Sequence, residues 1–124
     1  MHDPAAGGAL TLHDRIALGL SHASEDMQRL AGGAAVCTFT RSGRAVPGIK
    51  YAEGRWAALR ELQRLTAGAD EAAAATAISE RTTAWQVQLD ALVQRGAGAD
   101  WIAYRTGGVD ALHDLSTARG ASSP

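Results

Sequence analysis

The residues best suited to binding chemistry are concentrated in one stretch, Arg41 to Arg64, with the sequence RSGRAVPGIKYAEGRWAALRELQR. It carries six of the twelve basic residues and two glutamates, a net charge of +4, whereas residues 1–40 sum to −2 and residues 65–124 to −3. Guanidinium and ammonium groups pair with carboxylates or neutralise phosphates. The predicted binding residues are Arg41, Arg44, Lys50, Tyr51, Arg55, Arg60 and Arg64.

Two kinds of partner fit this basic surface. Arginine, tyrosine and tryptophan are enriched at protein interfaces, which favours a protein partner. Phosphate neutralisation with stacking on Tyr51 and Trp56 would instead suit a nucleic-acid-associated regulatory protein, although a pI of about 6.4 is unlike that of most such proteins. The simpler interpretation of Trp56 is a core anchor, with Arg55, Arg60 and Arg64 on a solvated face balanced by Glu53 and Glu61.

The side chains that could support catalysis form no recognisable site. His22 and Glu25 lie three residues apart with Asp26 adjacent, which is half of a metal site that no other residue completes. Cys37 is the only cysteine, and we predict a small buried hydrophobe rather than a nucleophile. Phosphate-binding glycine loops are absent. We therefore predict no catalytic residues, no metal and no cofactor, and keep a small enzyme with a pocket in a helical bundle as a third alternative.

A glycine-punctuated segment, Val93 to Thr117, has a spacing similar to that of bacterial helix-turn-helix modules. Its second helix would carry Asp110 and Asp114 and no basic residue before Arg119, and carboxylates repel phosphates. We interpret the segment as a helical corner that packs Trp101, Ile102 and Leu112 into the core.

The elements that position these residues follow from periodicity and capping signals. Apolar residues three and four apart predict a helix from Thr11, its N-cap, to Gly32. A hairpin follows, with strands over 34–40 and 45–51 and a turn at 41–44; Pro47 restricts the second strand to an edge. Further helices are predicted over 52–66, over 71–95 after the N-cap Asp70, over 101–106 and over 109–118, the last two separated by Gly107 and Gly108. The fold class is α+β and predominantly α: a bundle of four to five helices with one β-hairpin inserted after the first helix.

Composition limits the remaining possibilities. The 124 residues predict one domain over 11–119, with disordered tails at 1–10 and 120–124. Leu, Ile, Val and Phe number 22, so the alanine-rich core is thin and favours homo-oligomerisation. No apolar run is long enough for a bilayer, and the N-terminus is unlike a signal peptide. We expect a bacterial cytoplasmic protein without membrane contact: a non-enzymatic interaction protein, homodimeric, that presents residues 41–64 to a protein partner.

Overall fold

The computed structural model describes residues 10–32 and 37–121, with side chains up to residue 117. Its elements are α1 (Leu12–Ala31), β1 (Cys37–Phe39), β2 (Ala45–Pro47), α2 (Gly48–Leu65), α3 (Glu71–Gln94) and α4 (Ala99–Ala121). The predicted helix-rich α+β class, with a hairpin after the first helix, is confirmed. Most of the two predicted tails and the predicted strand residues 34–36 lie outside the described residues.

Two helices begin where the capping residues predicted. The Thr11 hydroxyl accepts a hydrogen bond from the Asp14 amide at 3.0 Å, and the Asp14 carboxylate accepts one from the Thr11 amide at 3.2 Å, a reciprocal capping box. At α3, the Asp70 carboxylate accepts a hydrogen bond from the Ala73 amide at 2.8 Å. These caps satisfy backbone donors that the helices cannot pair internally.

The hairpin is shorter than predicted. β1 and β2 pair antiparallel over three residues each, with Phe39 opposite Ala45. Gly43, at φ 85°, closes the turn in a conformation that favours glycine. The second extended segment, predicted to reach Tyr51, ends at Pro47, because α2 already begins at Gly48.

The most extensive contact in the fold is between α2 and α4, where the helix backbones nearly touch. A Cβ added to Gly107 would lie 2.0 Å from the Tyr51 carbonyl oxygen, and one added to Gly54 would lie 1.8 Å from the Tyr104 carbonyl oxygen. A Cβ on Gly108 would similarly lie 2.3 Å from the Trp85 ring. The predicted break at Gly107 and Gly108 is therefore wrong, since these glycines continue α4 and allow its close approach to α2 and α3.

The main core is formed where α1 and α3 pack on the α2–α4 pair. Its largest buried side chains are Ile16, Leu59, Leu62, Ile78, Trp85, Leu112 and Leu115. Leu112 is buried as predicted, Ile102 is half-buried, and Trp101 is exposed, so the predicted packing of Trp101 into the core is wrong. Among the described helices, none is both long and apolar enough to cross a membrane.

Candidate functional site

The seven predicted binding residues divide into two groups. Arg41, Tyr51 and Arg55 are bound by carboxylates of α4, which lie beneath the hairpin turn and the start of α2. The other four, Arg44, Lys50, Arg60 and Arg64, make no contact with α4 carboxylates among the described residues. The seven residues are close together along the chain, but only three of them contact α4.

Asp114 joins the two arginines of the first group. Its carboxylate oxygens accept hydrogen bonds from Arg41 Nη1 at 2.7 Å and from Arg55 Nη2 at 2.8 Å. The Asp114 side chain is 46% exposed, so solvent screens both ion pairs. The carboxylate nevertheless connects the hairpin turn to α2 through α4.

Asp110, one helical turn earlier on α4, is only 6% exposed. Its Oδ2 accepts hydrogen bonds from the Tyr51 hydroxyl at 2.6 Å and from the Arg41 amide at 3.0 Å. A buried carboxylate requires such donors to offset the loss of its hydration. Asp110 therefore attaches the start of α2 and the hairpin turn to α4.

Tyr51 is a hydrogen-bond donor in this arrangement rather than an acid. Burial raises the pKa of its phenol well above the ordinary value, and the hydrogen bond to Asp110 raises it further. Arg55 lies beside the phenol, with its guanidinium carbon 5.7 Å from the ring centroid. Burial acts to lower the pKa of Arg55, but the hydrogen bond to Asp114 and the other neighbouring groups outweigh it and the pKa is raised.

Sequence reasoning did not find Asp110 and Asp114 as partners of the basic stretch. Their spacing of four residues places both on one face of a helix, which is a signal that the sequence contains. The predicted helix over 109–118 already carries both residues, but the sequence does not show that this helix crosses α2 and the hairpin turn, whose donors lie 59 and 69 residues away.

The second group includes a line of side chains on the outward side of α2, which we call the α2 outer stripe: Trp56, Arg60 and Arg64. Their spacing of four residues places them along one side of the helix. Trp56 is 37% exposed, so the interpretation of it as a core anchor is wrong. Arg60 Nη1 donates to Gln63 Oε1 at 2.7 Å, and Arg64 is exposed. The stripe thus combines a partly solvated indole with two guanidinium groups.

The glutamates that were expected to balance this stripe are engaged elsewhere. Glu61 accepts a hydrogen bond from Trp85 Nε1 at 3.0 Å and lies 3.6 Å from Arg81 Nη1, both on α3. Glu53 pairs with Lys50 at 3.1 Å. Within the described residues, no carboxylate pairs with Arg60 or Arg64, so the positive charge of the stripe is not cancelled by a direct contact.

The residues considered for catalysis are dispersed. His13 and His22 are exposed, His113 is half-buried, and His2 lies outside the described residues. His22, Glu25 and Asp26 border a polar groove of about 460 Å³ between α1 and α2, where Asp26 pairs with Arg29 at 3.3 Å. No group of three or more metal-ligating side chains occurs in the described parts of the chain.

Cys37 is exposed at the start of β1, so the prediction of a buried cysteine is wrong. Exposure alternates along β1, with Cys37 and Phe39 exposed and Thr38 half-buried, so Cys37 lies on the more exposed face of the hairpin. Comparisons with protein-family models, with curated proteins and with solved structures found no match to the chain.

Proposed function

We propose that the protein is a small non-enzymatic interaction protein that binds an acidic surface of a partner protein through the α2 outer stripe. The observation that carries this proposal is the partly exposed Trp56 in line with Arg60 and Arg64. Tryptophan and arginine supply most of the binding energy at many protein interfaces. Arginine also pairs with carboxylates through two parallel hydrogen bonds, which favours an acidic partner.

The division of the basic residues supports this choice of surface. Arg41 and Arg55 already donate to Asp114, so a partner would have to break these ion pairs to use them. Arg60 and Arg64 have no carboxylate partner among the described residues and can pair with one at no such cost. We therefore place Arg60 and Arg64 at the centre of the interface.

We further propose that the protein is a homodimer in which β1 of one copy pairs with β1 of the other. The Thr40 amide donates to the Arg44 carbonyl at 2.9 Å, so by antiparallel alternation the backbone groups of Phe39 point away from β2. The β1 edge is therefore available, whereas Pro47 interrupts the edge of β2. Phe39 is 70% exposed, and two-fold pairing would cover it with its counterpart.

Light scattering after size-exclusion chromatography tests the dimer. We expect a mass of about twice 12.9 kDa for the unmodified chain and a monomer for Phe39→Asp. A matched control is Val87→Asp on α3, which is also exposed and lies on no element of the proposed interface. A monomeric unmodified chain at high micromolar concentration would refute the dimer without affecting the stripe.

A second candidate function, single-strand nucleic-acid binding, is favoured by the same exposure of Trp56, since an indole beside arginines can stack on a base. Fluorescence anisotropy with a labelled dT20 strand and a 20-base-pair duplex at about 50 mM salt distinguishes the two functions. Salt-dependent binding that is lost in Arg60→Glu/Arg64→Glu would show that the α2 outer stripe binds nucleic acid rather than a protein.

The protein partner is tested by placing a photo-cross-linking amino acid at position 63, beside Arg60 and Arg64, which leaves Trp56 in place. The captured protein is then identified and its affinity is measured in purified form. We expect Arg60→Glu/Arg64→Glu to weaken binding at least tenfold, since it removes two charge-assisted contacts of about 1.5 kcal/mol or more each. Arg60→Lys/Arg64→Lys should lose less, and Arg29→Glu on α1 should bind as the unmodified chain does. Equal affinity of all four proteins would reject the α2 outer stripe as the interface.

A further inference from the structure

A second groove lies far along the chain from the α2 outer stripe, between the end of α3 and the start of α4. It has a volume of about 320 Å³, at the small end of the range for ligand sites. Its walls are formed by Gln88, Ala91, Leu92 and Arg95 of α3 and by Trp101 and Arg105 of α4. The groove is open, so it suits a side chain or short segment rather than an enclosed small molecule.

Arg105 is held in place by aromatic rings. Its guanidinium carbon lies 4.5 Å from the centroid of the Trp85 ring and 5.6 Å from that of Tyr104. Stacking orients a guanidinium through its faces and leaves the N–H donors at its edge free. The Trp85 ring is itself fixed, because its Nε1 donates to Glu61. The Arg105 charge is therefore positioned before any ligand arrives.

Arg95, at the C-cap of α3, adds a second guanidinium on the opposite wall. In the part of the chain that the structure describes, no carboxylate lies within ion-pair distance of Arg95 or Arg105. Elsewhere in that part, four arginines do pair with carboxylates: Arg29, Arg41, Arg55 and Arg81. The groove thus concentrates two arginines whose hydrogen-bonding capacity for an anion is unused.

The remaining surface of the groove is apolar. Trp101 is 65% exposed. A ligand that covers this side chain would bury a large apolar area, because tryptophan is among the largest apolar side chains. Leu92 and Ala91 extend this surface along α3. A ligand that fills the groove therefore needs an apolar group against Trp101 and an anionic group against Arg95 and Arg105.

The local charge distinguishes between anionic ligands. Residues 88–105 contain Asp90 and Asp100 as well as the two arginines, so the segment has no net charge. A polyanion would place further phosphates near these two carboxylates, whereas a single carboxylate needs to meet only the guanidinium groups. The charge pattern thus favours a peptide over a nucleic-acid strand.

We propose that this α3–α4 groove binds a peptide segment in which one carboxylate lies beside an apolar side chain. The proposal is independent of the α2 outer stripe, because the two surfaces share no residue. It assigns to Trp101 the apolar contact and to Arg95 and Arg105 the carboxylate.

The test uses ¹⁵N-labelled full-length protein titrated with the capped dipeptide Ac-Phe-Glu-NH₂, followed by the three tryptophan indole N–H signals. The Trp101 signal is assigned with Trp101→Phe. We expect a saturable shift of this signal, with a dissociation constant in the millimolar range, as is usual for a fragment of this size. Arg95→Gln should weaken binding about tenfold, and the control Arg29→Gln, at an exposed arginine of α1, should leave it unchanged.

Three outcomes would overturn the proposal. The first is the absence of a saturable Trp101 shift up to about 20 mM peptide, since a fragment of this size should bind more tightly than that. The second is an equal shift with the neutral match Ac-Phe-Gln-NH₂. The third is tighter, strongly salt-dependent binding of a dT8 strand at Trp101, which would assign the groove to nucleic acid.

Discussion

The two sides of α2 use the same residue types in opposite ways. Towards α4, Arg41, Tyr51 and Arg55 are bound by Asp110 and Asp114, and their polar groups connect three elements of the fold. On the outward side, Arg60 and Arg64 lie in line with a partly exposed Trp56, and no carboxylate pairs with either arginine among the described residues. A basic cluster in a sequence thus combines residues that stabilise the fold with residues that remain available for binding.

The largest loss of stability is expected from a substitution at the close contact between α2 and α4. Gly107→Ala places a Cβ 2.0 Å from the Tyr51 carbonyl oxygen, which belongs to the backbone and cannot move aside as a side-chain end would. We expect it to lower the free energy of unfolding in urea by about 3 kcal/mol or more, at the upper end for overpacking. Gly98→Ala is the matched control, since its Cβ would meet nothing within 4 Å. Equal stability of the two variants would contradict the close crossing.

The next largest loss of stability is expected at Asp110, and it should exceed the loss at Asp114. Asp110→Ala leaves the Tyr51 hydroxyl and the Arg41 amide without an acceptor in a buried site, so we expect a loss of about 2–3 kcal/mol. Asp114→Ala removes ion pairs that are half exposed, and it should cost at most about 1 kcal/mol. Urea denaturation of both variants checks this order. The reverse order would mean that the exposed ion pairs, not the buried hydrogen bonds, hold the hairpin turn to α4.

The contribution of Tyr51 to stability depends on pH. Its folded-state pKa is raised above the unfolded value, so its contribution to stability is complete below the unfolded pKa of about 10 and declines as the pH rises beyond it. Tyr51→Phe should cost about 1 kcal/mol at pH 7, since it removes the hydrogen bond to Asp110. Between about pH 10 and pH 11, the stability of Tyr51→Phe should fall less steeply than that of the unmodified chain. Tyr104→Phe serves as the control, because the phenol of Tyr104 makes no hydrogen bond to Asp110. Identical alkaline slopes for Tyr51→Phe and the unmodified chain would contradict the role of Tyr51.

The smallest effect on stability is expected on the outward side. Arg60→Glu/Arg64→Glu should change the free energy of unfolding by no more than about 0.5 kcal/mol per site, as for most surface substitutions. Thermal and urea denaturation measure it, alongside the binding assays in which the same variant should fail. A large loss of stability would show that the outward arginines, like the inward ones, support the fold.

Local signals account for most of what could be predicted. The capping box at Thr11 and Asp14 and the cap at Asp70 join residues three apart, so their geometry depends on little beyond the adjacent chain. The turn at Gly43 is similarly local. The helices α1, α2 and α3, the hairpin and the N-terminal limits of α1 and α3 follow from signals of this range, whereas the single helix α4 does not.

The α2–α4 crossing was not predictable in the same way. Glycine has a low helix propensity, so Gly107 and Gly108 together predict a break between two helices when only the sequence is considered. Whether it ends a helix or permits a close crossing depends on what lies opposite, here the Tyr51 carbonyl and the Trp85 ring. Asp110 likewise meets Arg41 across 69 residues of chain, a separation at which no spacing rule applies.

The basic stretch 41–64, its charge and the helix that carries most of it could be predicted from the sequence, because these are properties of adjacent residues. Which of its side chains are engaged and which are available depends on how α2 and α4 pack together. α4 packs against one side of α2, where Asp110 and Asp114 bind Arg41, Tyr51 and Arg55. Trp56, Arg60 and Arg64 lie on the other side and keep their binding capacity.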